Sequence, residues 1–226
     1  MIGVFDSGAG GVAAVNELRA LAPLADICFF ADRKNAPYGT KSKHELIKLV
    51  KQDIRILKEN QASKILMACC TASTVYSELS AKERSVCVPI IAPTAKAAID
   101  AAKRKRIAVI ATRYTVSSHA FRNEILRLSE DSYVFEKEAQ YMVDVAERMK
   151  IGIMPTLCER AKIRETLKII KNEDVDLLIL GCTHFSLLGT VISEECEDLV
   201  LIDSAKEGAK SILCAAQNGN GSTIYL

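Results

Sequence analysis

The sequence predicts an α/β protein built as two parallel-sheet domains in pseudo-twofold relation. Three observations carry this. Short apolar runs alternate with amphipathic helical stretches along the 226 residues, the rhythm of parallel strands joined by helical crossovers. The run Leu177-Leu178-Ile179-Leu180 enters Gly181-Cys182-Thr183-His184-Phe185, and the run Lys64-Ile65-Leu66-Met67 enters Ala68-Cys69-Cys70-Thr71-Ala72-Ser73. Each reads as a buried strand that delivers a thiol and a threonine to its carboxyl end, where open α/β sheets bind ligands. The order of elements over 2–73 is echoed over 106–184, a weak internal duplication with no short-period repeat. Two such halves can face each other across a cleft, with a thiol on either side.

Ile2-Gly3-Val4-Phe5 is a short buried strand. Asp6-Ser7-Gly8-Ala9-Gly10-Gly11 turns it into a helix over 12–21, and glycines in such a turn let backbone N–H groups approach an anion. The G-x-G-x-x-G spacing of a dinucleotide loop is absent. An acid at the strand end suits an ammonium or a proton in transit better than a pyrophosphate. Residues 26–30 form a second strand, and 32–40 a polar loop containing Pro37-Tyr38-Gly39. Helical periodicity runs from Ser42 to about residue 60, with Ser42 and Glu45 spaced as a capping box. Strand 64–68 reaches Cys69, a helix is expected over 72–81, and a short strand over 88–91. Pro93 is a natural hinge.

Beyond it, 95–103 is helical and 106–111 is a strand that ends in Thr112-Arg113-Tyr114-Thr115. A helix begins at Ser117 or Ser118 and runs to about 128. Residues 133–135 are a strand, and 139–149 a helix carrying Glu147. Pro155 fits the first turn of a helix that extends to about 172. Strand 177–180, strand 200–202, helix 204–216 and a short last strand over 222–226 complete the chain. The expected domains are 1–93 with 204–226, and 94–203, hinged near Pro93 and Asp203.

The chain has 30 Lys and Arg against 28 Asp and Glu, so no field argues for nucleic acid. The one basic run, Lys103-Arg104-Lys105-Arg106, reads as a solvated helix end. No apolar run approaches the roughly 18 residues of a membrane span. No basic leader precedes the first strand, so a cytoplasmic protein is expected. Eight cysteines in a reducing compartment are free thiols, most of them core residues such as Cys28. There is no C-x-x-C, and C-x-H with adjacent Cys-Cys is not zinc spacing, so no metal is expected.

Two thiols at matching strand ends suit one task in particular, inversion of a carbon that bears a weakly acidic hydrogen. One base removes the proton from one face and a conjugate acid returns a proton to the other; in the reverse direction the two swap roles. A thiolate is a competent base whose pKa its neighbours readily lower, and the titration belongs to the pair. Cys69 and Cys182 are the candidate pair. Asp6 is placed to assist Cys69, and His184, with Glu147 as its candidate partner, to assist Cys182. Ser7, Thr71 and Thr183 offer donors to a carboxylate. A Cys–His hydrolase or transferase would use one thiol and leave the other unexplained.

Taken together, Phe5-Asp6-Ser7-Gly8-Ala9-Gly10-Gly11, Pro37-Tyr38-Gly39, Ala68-Cys69-Cys70-Thr71-Ala72-Ser73 and Gly181-Cys182-Thr183-His184-Phe185 resemble the glutamate racemases, the cofactor-independent enzymes of the aspartate/glutamate racemase superfamily. The resemblance covers nearly the whole chain, with the motifs in order. It implies two flavodoxin-like α/β halves with the active site between them, no cofactor, D-glutamate made for peptidoglycan, and a homodimer whose geometry no apolar stripe here selects. It implies Cys69 and Cys182 as the catalytic acid/bases, with Asp6, His184 and, on the looser stretch 141–147, Glu147 assisting. Ser7, Pro37, Tyr38, Gly39, Cys70, Thr71, Thr112, Thr115 and Thr183 fall at substrate-binding positions.

The sequence departs from the family pattern at Cys70, where an asparagine is usual; a thiol cannot supply the amide's donor and acceptor together. Tyr114 stands for a glycine and Ser186 for a proline. Cys70 keeps a racemase for aspartate or another amino acid as an alternative. A single-thiol decarboxylase or isomerase of the same superfamily would not need both cysteines. Cys70, Tyr114 and an end at Leu226, where the family usually continues for a further helix, keep a catalytically degenerate homologue, acting as a binding module, as another.

Overall fold

The computed structural model describes residues 1–226. In chain order the elements are β1 (Ile2–Asp6), α1 (Gly11–Leu21), β2 (Ile27–Ala31), α2 (Lys43–Glu59), β3 (Lys64–Met67), α3 (Cys70–Ser73), α4 (Ala81–Arg84), β4 (Cys87–Pro89), α5 (Ile91–Ala101) and β5 (Arg106–Ala111). There follow α6 (Arg113–Ser117), α7 (Ala120–Leu128), β6 (Tyr133–Glu138), α8 (Tyr141–Lys150), α9 (Leu157–Lys171), β7 (Leu177–Gly181), α10 (Gly189–Glu195), β8 (Val200–Asp203), α11 (Ser204–Ile212) and β9 (Thr223–Tyr225).

Two sheets form, ordered β4-β3-β1-β2-β9 and β6-β5-β7-β8, and every ladder in them is parallel. Written from its other edge, the second sheet is β8-β7-β5-β6, the same arrangement as β4-β3-β1-β2. The duplication read from the sequence is therefore a duplication of topology, with β3 matching β7. In each sheet the chain leaves the central strand in one direction and later returns on its other side. The crevice at such a reversal is where ligands bind. It lies between β1 and β3 in one sheet and between β5 and β7 in the other.

The strands are apolar on both faces because both faces are covered, as parallel sheets require. Along β7, Leu178 and Leu180 enter one core cluster, with Met142, Ile163 and Phe185, while Leu177 and Ile179 enter another, with Ala95, Phe121 and Ile125. The two-residue alternation repeats in β3, where Ile65 and Met67 pack with the α2 face and Leu66 packs with α1 and α11. Burying a side chain of this size, relative to leaving it exposed, is worth about 1.5–3 kcal/mol. No helix is long and apolar enough to cross a membrane.

Several elements differ from the sequence reading. The stretch 72–81 is not one helix: α3 stops at Ser73, a 3-10 turn spans Tyr76–Glu78, and Ser80 caps α4 with Glu83 in a capping box. Thr74 Oγ1 donates to the Thr71 carbonyl at 2.7 Å, the local bonding by which threonine competes with a continuing helix. The helix expected from residue 95 begins at Ile91, so Pro93 sits in its first turn, where a missing N–H costs nothing. Pro155 precedes α9, whose cap is Thr156 with Glu159. The helix expected from Ser117 or Ser118 begins at Ala120, and His119, at φ 52°, separates it from α6. The capping box of Ser42 and Glu45 is present. The basic run is occupied on the surface: Arg104 pairs with Asp174, Lys105 with Asp131, and Arg106 lies over the Tyr133 ring.

Candidate active site

Both crevices open into one cavity of about 520 Å³. Ser7, Cys69, Cys70 and Thr71 line it from the first sheet's strand ends, and Thr112, Cys182, Thr183 and His184 from the second's. Register explains the convergence. Phe5 pairs with Met67, so Ser7 and Cys69 leave adjacent strands two residues later. Ala111 pairs with Gly181, so Thr112 and Cys182 do the same one residue later.

Cys69 is buried, and its Sγ donates to Ser7 Oγ at 3.5 Å. It also caps α3, accepting from the Ala72 N–H at 3.5 Å. Burial, then the charge of Asp6, pushes the Cys69 thiol up to about 12. Across the cavity, Cys182 Sγ lies 3.7 Å from His184 Nδ1. His184 Nε2 is 2.6 Å from Glu147 Oε1. Burial opposes charge on this imidazole, but the bonds to Cys182 and Glu147 outweigh it and hold its pKa well above the ordinary value. The same His184 bond lowers Glu147. Both contacts favour the protonated ring, in which an Nδ1–H faces the sulfur.

Asp6 is fully buried and bridges the halves: Oδ1 accepts from the Gly8 N–H at 2.9 Å, and Oδ2 from Thr183 Oγ1 at 2.9 Å. Burial raises its pKa, against the lowering by His184, Thr183 and Gly8. It stands behind the cavity wall, where its charge acts on Cys69 without touching it. Thr71, Thr112 and Thr115 form a triangle of hydroxyls across the two halves, at 2.8, 3.1 and 2.9 Å. Thr115 is not on the wall; its hydroxyl is taken up by the other two. Cys70 does line the cavity, but its Sγ donates to Ser204 Oγ at 3.4 Å, and Ser204 donates on to the Leu180 carbonyl. The adjacent thiols thus face different partners, Cys69 toward Ser7 and Cys70 toward α11. Pro37 and Gly39 are on the wall, and Tyr38 presents its ring there while its hydroxyl turns inward.

The motifs do not point to Gln140, Arg33 or Lys150, which also line the cavity. Arg33 and Lys150 lie in stretches with no chemical pattern. Nor do they show why Gly10 must be glycine. A Cβ there would stand 2.5 Å from His184 Nδ1 and 2.7 Å from Thr183 Oγ1. The Gly10→Ala substitution is expected to push both side chains off their partners. Its cost in stability is about 1–3 kcal/mol, typical of overpacking, read as a lowered denaturant midpoint, with an accompanying fall in turnover.

The Asp/Glu/Hydantoin racemase family matches residues 17–212. The chain belongs to this family. Among its relatives, a glutamate racemase of Neisseria meningitidis is 34% identical over 207 residues, 90% of this chain and 75% of the relative. That of Aquifex aeolicus is 34% identical over 223 residues, 98% of this chain and 85% of the relative. The solved glutamate racemase isoform RacE1 of Bacillus anthracis superimposes with a TM-score of 0.86 at 28% identity, covering 100% of this chain and 86% of that one. The RacE1 structure shares the parallel-sheet α/β architecture that the cavity depends on.

Proposed function

We propose that this chain is a cofactor-independent glutamate racemase of the cytoplasm that inverts the α-carbon with Cys69 and Cys182 and supplies D-glutamate for peptidoglycan. The observation that carries the reading is the placement of these thiols. They follow topologically equivalent strands, β3 and β7, and line one cavity from opposite sides. The names of the relatives supply the substrate. The working domains are 1–93 with 204–226, and 94–203, a division supported by β9 pairing with β2 and by Ala205, Ala209 and Ile212 packing on the first sheet.

In the reaction, one sulfur takes the α-hydrogen as a proton: the C–H bond breaks, its electron pair stays on carbon, and an S–H bond forms. The opposite thiol gives its proton to the other face of the same carbon. Each turnover leaves the proton on the opposite sulfur, so both must exchange protons to reset. Cys69, pushed up by burial and Asp6, holds its proton at neutral pH and serves first as the acid. A substrate ammonium arriving beside Cys69 and Asp6 favours the charged sulfur and draws its pKa down. On the other side, the His184 imidazolium donates to the negative charge that Cys182 carries as base. Ser7, Thr71 and Thr112 present hydroxyls to the carboxylates, while Thr183 gives its proton to Asp6; Arg33 and Lys150, which form no ion pair, line the cavity with Asp144 and Glu147.

The purified protein, with no added cofactor, is expected to convert either enantiomer of glutamate to the racemate, followed by chiral chromatography. Alkylation of Cys69 and Cys182 should slow in the presence of D-glutamate. Racemisation of aspartate but not glutamate would move the substrate assignment, and activity toward neither would remove the proposal.

A further inference from the structure

Behind the wall formed by Pro37, Tyr38 and Gly39 lies a group the proton transfer does not use. The Tyr38 hydroxyl is 2.6 Å from Asp32 Oδ2 and 2.7 Å from Asp53 Oδ2. A phenol carries one proton and donates to one acceptor at a time. Two carboxyl oxygens at hydrogen-bond distance from one phenol oxygen therefore require a second proton, carried by one of the acids.

The surroundings decide which. Asn35 Nδ2 donates to both oxygens of Asp32, at 3.0 and 2.9 Å, which suits Asp32 as the charged acceptor. Asp53 has no such help. It is fully buried in the middle of α2, on the face that carries Leu46, Val50, Ile54 and Leu57, and its Oδ1 has no partner at all. The ionisable groups that face it besides Tyr38 are Asp32, from the turn after β2, and Asp6, from the end of β1, both acids. No lysine or arginine pairs with it. A bare carboxylate there would bear its desolvation penalty with nothing to offset it.

We propose that Asp53 is a neutral carboxylic acid and a positioning residue: it donates to Tyr38, Tyr38 donates to Asp32, and this chain of hydrogen bonds fixes the 37–39 wall of the substrate cavity. The proposal rests on the reading of that cavity as the racemase site. The wall is also a contact between the halves. A Cβ on Gly39 would come within 2.5 Å of Gln140 Oε1 and 2.9 Å of Thr112 Cβ, so a shift of this segment is a shift of the cavity's width.

Ionising Asp53 removes the donor to Tyr38 and leaves two anions competing for one phenol proton. Burial, helped by Asp32 and Asp6 and opposed by the Tyr38 bond, places that ionisation at about 8. The native state thus keeps a proton that the unfolded chain has released above the ordinary carboxylate pKa. Stability must fall as pH rises from there to about 8 and level off above it.

The test compares wild type, Asp53→Asn and Asp53→Ala. The amide of the Asn variant can donate to Tyr38 as the acid does, and it does not titrate. Wild-type KM for glutamate is expected to rise about tenfold between neutral pH and about pH 9. In Asp53→Asn it should stay flat over that interval and match wild type at neutral pH, while Asp53→Ala has a raised KM throughout. Titration of the two thiols is common to all three proteins and cancels in the comparison. Two readouts need no turnover. The infrared difference between wild type and Asp53→Asn at neutral pH should contain the carbonyl stretch of a protonated acid, and their difference in thermal midpoint should widen as pH rises. An Asn variant with the wild-type alkaline rise in KM, or a difference spectrum showing only carboxylate, overturns the proposal, even if the Ala variant does not fold. Absence of glutamate turnover in wild type would sink the racemase reading, while the spectrum and the stability slope still judge the acid.

Discussion

Replacing either Cys69 or Cys182 by serine is expected to lower racemisation by at least about 10³-fold in kcat, within the range that a positioned acid or base supplies. The hydroxyl fills nearly the same space, so folding should survive, and both variants should keep the wild-type circular dichroism spectrum. The loss arises because an alcohol is a far weaker acid than a thiol and cannot be a base at neutral pH. The two variants should also differ from each other. Each retains one thiol, which reaches one face of the α-carbon. In deuterated water each single variant is expected to exchange the α-hydrogen of one enantiomer, and the two variants should choose opposite enantiomers. Loss of both activities in one variant but neither in the other would mean that only one cysteine works.

Substituting His184 by asparagine is expected to cost about 10²-fold in kcat/KM. The imidazolium stands 3.7 Å from Cys182 and is held by Glu147 at 2.6 Å, so its removal leaves the sulfur without a proton partner on that side. The equilibrium constant of a racemisation is fixed by symmetry, so kcat/KM must fall by the same factor in both directions. The separate kcat values need not. Because His184 serves only one of the two sulfurs, kcat is expected to fall unequally for D- and L-glutamate, with compensating changes in KM. Glu147→Gln should show the same asymmetry in milder form, since it orients the ring and sustains its charge without reaching the sulfur. Equal loss of kcat in both directions would place His184 in general structural support.

The parts of this site that were legible in the sequence are those written locally. A four-residue apolar run ending in Gly181-Cys182-Thr183-His184 encodes a strand and what it delivers, and β3 repeats the pattern with Cys69. What no local pattern encodes is the pairing across the cleft. Asp6 meets Thr183 from 177 positions away, Thr71 meets Thr112 from 41, and Gly10 must be small because His184 packs against it. Thr115, which the family resemblance places at a substrate-binding position, sits a three-residue step along α6 with its hydroxyl on Thr112. Asp53 had a readable signal, an acid at the core-facing spacing of Leu46, Val50 and Leu57, yet helix periodicity alone counts any charge as surface. The break at 74–80 was hidden because no glycine or proline marks it. A side-chain bond from Thr74 and a fresh cap at Ser80 decided against it.

In the proposed mechanism two thiols share one proton transfer from opposite faces of the carbon. The measurement that tests it most directly is the first phase of glutamate conversion in deuterated water, from each enantiomer in turn, with deuterium at the α-carbon read separately in product and in remaining substrate. Two bases predict that the product carries deuterium from the outset, because its hydrogen comes from a thiol equilibrated with solvent, while the remaining substrate stays unlabelled. Product that keeps the substrate's own hydrogen would show one base returning the same proton and would contradict the account.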